Sequence, residues 1–359
     1  MIKLPKISSS QLIIMLVISR MFSMFTYKPT GYNISATAAA IAVAISVVIN
    51  ILIFTPTLML LKKYEGRNVS DCAYLNFGSM GKIYSFLTLV ICLFLSIECL
   101  TQFEIFMTST IYMTASPVFF IIPMMLVVVY ICRLGIESMA RMANFVFGGL
   151  LFTVIAIAIA VAPEINTVWA ESVSSKDVSG FFEFLAENVC NTTEIIPFML
   201  LASNTKGNLK KGTVWFCVII GVLFQLISFL SFTVLGNYRE TVMFPFYTVA
   251  AMAESTLTER FNSAYTVLWV FMAAVKLCVY LLVAAKSLRE FFLYKNDTVP
   301  LFISGSIVVF ITLFTTQKIT YVNAMYHFIL SGIPIILLAL VYPIAILIAQ
   351  KSRERRRNK

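Results

Sequence analysis

Apolar runs of about 20 residues recur along the whole chain, separated by short polar segments that hold most of the charged residues. As a helix, a run of that length crosses the roughly 30 Å of hydrocarbon in a bilayer. Glycines, prolines and charge clusters mark where each run ends. The pattern predicts ten membrane-spanning helices, in the ranges 11–28, 34–61, 83–112, 117–132, 142–162, 182–203, 213–236, 263–285, 299–316 and 325–349.

The composition indicates that the bilayer is the solvent for most of the chain. Hydrophobic residues make up 60% of the 359 positions and charged residues 12%, whereas soluble domains contain about 45–50% and about 25%. The first run contains Arg20 and lacks a small-residue cleavage site, which favours a retained helix over a cleaved signal peptide. We therefore predict an all-α integral membrane protein with a cytoplasmic leader (1–10), a single transmembrane domain (11–350) and a basic cytoplasmic tail (351–359).

Basic residues are concentrated on one side of the predicted topology. With the amino terminus inside, the cytoplasmic segments hold 20 of the 27 lysines and arginines, and the outer segments hold five. This asymmetry follows the positive-inside rule and predicts that both termini are cytoplasmic. The basic tail is interpreted as an anchor that contacts anionic lipid headgroups. We do not expect it to bind nucleic acid, because no recognition fold accompanies the charge.

The sequence lacks motifs for metal binding, cofactor binding and catalysis. The seven cysteines are scattered without CxxC or metal-ligand spacing, and most lie in apolar runs, where cysteine behaves as a small hydrophobic residue. There is no GxSxG, HExxH or glycine-rich nucleotide loop. We therefore expect no metal site, no cofactor and no enzymatic activity.

Five charged side chains fall at bilayer depth, away from the ends of the predicted spans, where insertion of each costs at least ~2.5–3.5 kcal/mol. They are Arg20 in the first span, Glu98 and Glu104 in the third, Glu194 in the sixth and Lys276 in the eighth. We interpret Arg20 either as a ligand-binding or gating residue or as the ion-pair partner of Glu98 or Glu104. Lys276 lies too deep for easy access to the membrane surface, so it is either a functional cation or half of a structural ion pair.

The sixth span contains a polar cluster, Asn191, Thr192, Thr193 and Glu194, with Pro197 shortly after it. Proline removes a backbone donor, and short polar side chains compete for the backbone groups that remain. Exposed backbone at this depth is tolerated only inside protein or beside a cavity. The segment therefore predicts an interrupted helix that lines a binding site. The alternative is a proline-kinked helix whose threonines bond to the preceding turn.

The first span, with Ser19, Arg20 and Ser23 before a polar exit, is also predicted to be interrupted. Paired interruptions at corresponding positions of two five-helix halves indicate a transporter-type site near the membrane midplane. The five-plus-five inverted repeat is inferred from hydropathy, since the halves share no obvious sequence identity. The predicted ligand-binding residues are Arg20, Ser23, Glu98, Asn191, Thr192, Thr193 and Glu194.

Four short motifs follow one another along the chain. A basic leader precedes I-S-S-S-Q-L, the loop between the fourth and fifth spans reads Y-I-C-R-L-G-I-E-S-M-A-R, the sixth span contains T-E-I-I-P-F-M, and the eighth contains V-K-L-C-V-Y. In order and spacing they resemble motifs of the spore germination permeases. These are the B subunits of GerA-type germinant receptors, a branch of the amino acid–polyamine–organocation superfamily. The loop motif is the most specific, with matching positions at Tyr130, Arg133, Gly135, Glu137, Ala140 and Arg141.

This resemblance implies a ten-helix inverted-repeat fold with interrupted first and sixth helices. It also implies binding of a small germinant, usually an amino acid, and A- and C-type partner subunits in the spore inner membrane or bacterial cell membrane. The alternative is a proton-coupled amino-acid permease that acts alone. The first span departs from the family pattern, because S-R-M-F-S-M-F replaces a small-residue segment that contains glycine.

The resemblance also suggests a role for Lys276. In sodium-coupled relatives of this superfamily, a cation site lies between the first and eighth helices. A lysine ammonium carries one positive charge and three donors, so Lys276 is predicted to replace the ion and to hold the first helix through its freed carbonyls. The alternative is a fixed ion pair with an internal carboxylate.

Overall fold

The order of elements follows the predicted apolar runs. The computed structural model describes residues 7–26, 34–64, 66–169, 177–253, 261–316 and 318–357, which are helical almost throughout. The elements are β1 (Ile7–Ser8), α1 (Ser9–Phe25), α2 (Ala36–Lys63), α3 (Val69–Phe77), α4 (Lys82–Phe106), α5 (Val118–Leu134), α6 (Ile136–Ala160), α7 (Asp177–Cys190), α8 (Ile195–Leu201), β2 (Thr205–Lys206), α9 (Leu209–Leu235), α10 (Pro245–Ala253), α11 (Phe261–Phe292), α12 (Thr298–Thr315), α13 (Ile319–Leu330), α14 (Ile333–Ile335) and α15 (Tyr342–Arg357).

The helices agree with a membrane-spanning protein. In the described chain, seven segments are long and apolar enough to cross a bilayer, and α1 and α5 are shorter apolar helices. The predicted sixth span is divided between α7 and α8. The all-α membrane class is thus confirmed.

Helix α11 lies at the centre of the bundle. In its most apolar stretch 83% of the residues are buried, against 33–61% in the other six long segments. It packs against α1, α4, α5, α6 and α12. A polar side chain on α11 is therefore surrounded by protein rather than lipid, which is the environment where an intramembrane lysine can find partners.

The first helix differs from the sequence prediction. Helix α1 runs without a break from Ser9 to Phe25 and is capped by Ser8, whose side chain and backbone pair with Gln11. The described helix contains neither glycine nor proline. The Ser19 and Ser23 side chains bond to Glu194 and to Lys276 of α11, so the helix need not open to satisfy them. The predicted polar exit is described only at Thr26, and 27–33 lie outside the described residues.

The tenth span also differs from its predicted range, 325–349. A separate helix, α13, ends at Leu330, and the last apolar segment begins at Ile333. Gly332 between them has a φ of +71°, a left-handed conformation that favours glycine. Pro334 follows at the start of the next helix, where its missing N–H is not needed. The tenth span is therefore interrupted, as the sixth is.

Gly332 also lies against the interruption of the sixth span. A Cβ placed on Gly332 would be 2.8 Å from Cys190 Sγ, at the end of α7. We expect Gly332→Ala to destabilise the protein by about 1–3 kcal/mol, through both the left-handed backbone and the clash. Thermal unfolding of the purified protein measures this. The control is Gly148→Ala, where a Cβ meets nothing within 4 Å, and equal melting temperatures for the two variants would contradict the expectation.

A parallel two-residue pair joins the chain before α1 to the chain after α8. Ile7 is opposite Thr205 and Ser8 is opposite Lys206. Gly207 follows with a φ of +119°. The pair fixes the starts of α1 and α9 side by side at the end of the bundle that carries Lys206, Lys210 and Lys211.

Candidate functional site

The sixth span is interrupted at the predicted polar cluster. Helix α7 ends at Cys190 and α8 begins at Ile195, with Asn191–Glu194 between them. Thr192 Oγ1 donates to the Asn188 carbonyl at 3.1 Å. Pro197 lies in the first turn of α8, where its missing N–H breaks no helical hydrogen bond. The interruption therefore follows from local chemistry, and Thr192 also makes the back-bond that the alternative interpretation anticipated.

The guanidinium of Arg20 binds the carbonyl end of α7. Its Nη2 donates to the Asn188 oxygen at 3.1 Å and its Nη1 to the Asn191 oxygen. The Arg20 residue is only 3% exposed. Carbonyls at the end of an interrupted helix have no partner in that helix. A planar, two-pronged donor supplies partners to two of them at once, so Arg20 joins α1 to the interruption.

Glu194 joins the interruption to α1 and α11. Its Oε1 accepts hydrogen bonds from Ser19 Oγ at 3.1 Å and from Tyr280 Oη at 3.3 Å. Tyr280 Oη is also 2.7 Å from Thr193 Oγ1. Glu194 is fully buried. These four side chains form a network that fixes three helical segments relative to one another.

Lys276 extends from α11 towards α1 and α4. Its ammonium donates to Ser23 Oγ on α1 and is 3.8 Å from Glu98 Oε2 on α4. The same nitrogen lies 5.6 Å from the ring centre of Phe22. The Lys276 residue is 2% exposed. Lys276 therefore pairs with a carboxylate and contacts α1 through a hydroxyl. The predicted contact with freed carbonyls of the first helix was wrong, because α1 is continuous from Ser9 to Phe25 and its carbonyls are used within the helix.

A small polar cavity lies beside this ion pair. Its volume is about 20 Å³, which is room for one or two water molecules. The residues that line it come from α1, α4, the interruption, α11 and α13: Ser23, Thr26, Leu95, Glu98, Gln102, Asn191, Thr193, Lys276 and Ile329. An amino acid is several times larger than this cavity. A molecule of that size would therefore fit at this closed cavity only if side chains or helices moved.

Aromatic side chains cover the site towards α10. The Phe106 and Trp269 rings are 4.1 Å apart between their centres, and Phe22 lies 4.8 Å from Trp269. Phe25 stacks on Phe246 of α10 at 4.9 Å. Helix α10 follows the end of α9, so this cluster lies towards the face opposite the lysine-rich start of α9. For the cavity to open towards that face, α10 would have to move away from α1.

The predicted ligand-binding residues fall into two groups in the structure. Ser23, Glu98, Asn191 and Thr193 line the cavity beside Lys276. Arg20 and Thr192 line a second cavity of about 20 Å³ between α1, α2, α7 and α9. Glu194 lines neither of these cavities and is bound instead by Ser19 and Tyr280. Glu104, a further intramembrane carboxylate, accepts a hydrogen bond at 3.1 Å from Thr108, in the turn that follows α4.

The loop motif lies at the surface, away from both cavities. Gly135 has a φ of +93° and joins α5 to α6, which explains glycine at this position. Tyr130 is 63% exposed, Arg133 lies 5.8 Å from the ring of Phe302, and Arg141 is 3.9 Å from Glu137. The motif therefore forms a tight turn at the surface, and its residues line neither of the two cavities.

Ser19, Tyr280, Gln102 and Ile329 contribute to the site but were not assigned to it from the sequence. A signal existed for Tyr280, which is four residues from Lys276 and therefore on the same face of a helix. Ser19 lies one residue from Arg20 and four from Ser23. Ile329 reaches the cavity only because α13 ends beside it, and the hydropathy pattern does not indicate that interruption.

Comparison with solved structures defines the class. A sodium-coupled sialic acid symporter in a substrate-bound, outward-open state superimposes with a TM-score of 0.63 at 12% identity, covering 93% of this chain and 79% of that one. MhsT in complex with L-phenylalanine gives 0.62 at 13% identity, covering 97% and 99%. At such identities the likeness shows the fold alone. This chain is therefore a multi-pass membrane protein with the fold of these transporters.

The family follows from the sequence. The family model of the spore germination proteins matches residues 6–322. No curated protein sequence matches the chain significantly. The chain belongs to the spore germination protein family, which confirms the resemblance drawn from its motifs.

Proposed function

We propose that this chain is the B subunit of a GerA-type germinant receptor and that it binds an amino acid at the cavity beside Lys276. Family membership and the transporter-like fold support this proposal. The observation that carries it is the Lys276–Glu98 ion pair on the cavity wall, with its charges 3.8 Å apart. An amino acid presents an ammonium and a carboxylate, so its two charges can replace the two halves of this pair.

The energetics of such an exchange favour a zwitterion over a neutral ligand. Separating two buried charges leaves each without compensation, and this is strongly unfavourable unless new partners take their place. A zwitterion supplies an anion for Lys276 and a cation for Glu98 in one step. A sugar or nucleoside supplies neither. Ser23, Asn191 and Thr193 add hydroxyl and amide groups around the same cavity.

The proposed response is a shift between closed and open conformations. Because the closed cavity admits only water-sized molecules, a ligand that binds the expanded site stabilises conformations in which α1, α4 and the interruption have moved apart. In the receptor, A- and C-type subunits would detect that change and trigger germination. The basic end of the bundle would face the cytoplasm, as positive-inside asymmetry requires, with both termini there and the protein in the spore inner membrane.

Two substitutions test the binding site. We expect Thr193→Val and Glu194→Gln each to raise the germinant concentration for half-maximal response about tenfold or more, because each weakens the Thr193–Tyr280–Glu194 network. The first removes a hydroxyl that bonds to Tyr280, and the second removes the charge that strengthens the hydrogen bonds from Ser19 and Tyr280. Germination of spores that carry each variant, measured against the standard L-amino acids, gives the dose–response curves. Thr233→Val is the matched control, a buried threonine whose hydroxyl bonds only within α9 in the contacts described. Wild-type curves in both site variants would contradict the assignment.

The alternative is a proton-coupled amino-acid permease that acts alone. The buried Lys276–Glu98 pair also favours this alternative, because a proton could be exchanged at these two groups. Reconstituted vesicles separate the two. A receptor subunit copurifies with A- and C-type subunits and gives no uptake driven by a pH gradient. Uptake of a labelled amino acid by the chain alone, without such partners, would replace the receptor proposal.

A further inference from the structure

We propose that the groove between α2 and α9 is a binding site for an anionic phospholipid of the surrounding bilayer. The groove lies at the lysine-rich end of the bundle and has a volume of about 740 Å³. Volumes of about 300–1,000 Å³ are typical of sites that hold small organic ligands. It is separate from the cavity beside Lys276, and the inference does not depend on the proposed function.

Three cations border the groove at one membrane boundary. Lys62 is in the last turn of α2, Arg67 follows that helix, and Lys210 is in the first turn of α9. All three are exposed. None of the groove residues that the structure describes is acidic. The positive-inside rule assigns this lysine-rich end to the cytoplasmic side of the membrane. Basic pockets between membrane helices on that side bind anionic lipid headgroups, and the phosphodiester of a phospholipid carries the matching negative charge.

The wall of the groove below these cations is apolar and open to the side. Ile51, Leu58, Met59 and Val214 line it, and Met59 is 58% exposed. The lipid-facing surfaces of the two helices continue from this wall, with Leu52 and Val222 both more than 60% exposed. The occupant must therefore combine an anionic group at the boundary with apolar chains that run into the membrane.

The start of α9 adds polar groups and the end of a helix beside the cations. Asn208 and Thr205 border the groove next to Lys210, and the Asn208 side chain caps the helix by accepting from the Lys211 amide at 3.0 Å. The helix beyond this cap is 27 residues long and directs its amino-terminal end at the groove. That end carries partial positive charge, which reinforces the three side chains.

The position of the groove suggests what the lipid does. One wall belongs to α2, and the other belongs to the β2–α9 segment that pairs with β1 before α1. A lipid bound across the groove therefore links α2 to the chain that fixes the start of α1.

The test is lipid selection by the purified protein. The full chain is equilibrated with vesicles of equal phosphatidylglycerol and phosphatidylcholine, and retained lipid is measured by native mass spectrometry. We expect wild type to retain phosphatidylglycerol selectively. The Lys62→Gln/Arg67→Gln/Lys210→Gln variant should lose at least about tenfold in that retention, since each basic group near an anionic surface contributes up to about fivefold.

Two further variants make the test specific. Lys63→Gln/Lys206→Gln/Lys211→Gln removes the same charge from the same end of the bundle but from residues that do not line the groove, and it should keep the lipid. Met59→Trp keeps all cations and fills the apolar part, and it should lose the lipid. Equal lipid loss in the two triple variants would overturn the proposal, because the effect would then come from diffuse surface charge. Full retention in Met59→Trp would also overturn it, because the lipid would then not occupy the apolar part of the groove. If the Lys62→Gln/Arg67→Gln/Lys210→Gln variant kept the lipid but lost a copurifying protein subunit, the proposal would also be overturned, because the groove would then be a protein interface.

Discussion

Lys276→Met is expected to abolish the germinant response. The substitution removes the cation that contacts Ser23 and pairs with Glu98 on the cavity wall. It leaves the Glu98 carboxylate in a buried site without its counter-charge, and breaking a buried pair in this way costs about 3–5 kcal/mol. Dose–response curves of spores that carry the variant, together with the amount of protein in their membranes, measure the effect.

A double variant distinguishes ligand binding from structural support. In Glu98→Gln/Lys276→Met both charges are absent, so the unpaired carboxylate no longer destabilises the fold. We expect the melting temperature to recover towards wild type and the response to remain absent. Recovery of both properties would mean that the ion pair is structural only, and the proposed binding of a zwitterion would then be wrong.

The same lysine predicts how the protein depends on sodium. Its ammonium lies between α1 and α11, the place where the sequence comparison indicated a cation site, and it supplies a positive charge and donors without a bound ion. We expect the wild-type response to be unchanged when potassium replaces all sodium in the buffer. Strict dependence on sodium would contradict this role for Lys276.

The sequence predicted the spans and the interruption of the sixth helix because both have local causes. The length of an apolar run determines whether it can cross a bilayer. The polar cluster at Asn191–Glu194 and Pro197 act on the backbone within one or two turns. The structure accordingly divides the sixth span at Cys190 and Ile195.

The sequence did not predict what depends on contacts between helices. The first helix was expected to break at Ser19–Ser23, yet Ser19 binds Glu194 and Ser23 binds Lys276, so these polar side chains are satisfied without opening the helix. Hydropathy does not reveal how helices are rotated. For that reason the ion pair of Glu98 with Lys276 remained one of several possible pairings, although all the residues involved had been identified.

The interruption at Gly332 illustrates a different limit. A single glycine before Ile333 and Pro334 is a common sequence, and an apolar run on both sides of it is consistent with one continuous span. Its significance comes from the Cys190 side chain beside it, 142 positions earlier in the chain. Only the packed structure shows that the interruptions of the sixth and tenth spans touch.

Arg20 gives the second large expected effect. Two of its contacts are with the Asn188 and Asn191 carbonyls, a kind of partner that the sequence did not indicate. Arg20→Met would remove both donors, which leaves the Asn191 carbonyl without this partner and the Asn188 carbonyl with the Thr192 hydroxyl; a buried carbonyl left unpaired costs about 1–3 kcal/mol. We therefore expect a lower melting temperature in the absence of any ligand, together with loss of the germinant response.

Comparison of lysine with methionine at this position tests the geometry. Arg20→Lys keeps the charge but replaces a planar fork by a single ammonium, which cannot match two carbonyls in the same way, so its melting temperature should fall between those of wild type and Arg20→Met. Arg141→Met is the control for stability, since that guanidinium is exposed and its pairing with Glu137 is a surface contact of little worth. If Arg20 acted only on the ligand, Arg20→Met would lose the response and melt like wild type. A lowered melting temperature in ligand-free protein, absent in Arg141→Met, is the result expected of a residue that holds the end of α7 in place.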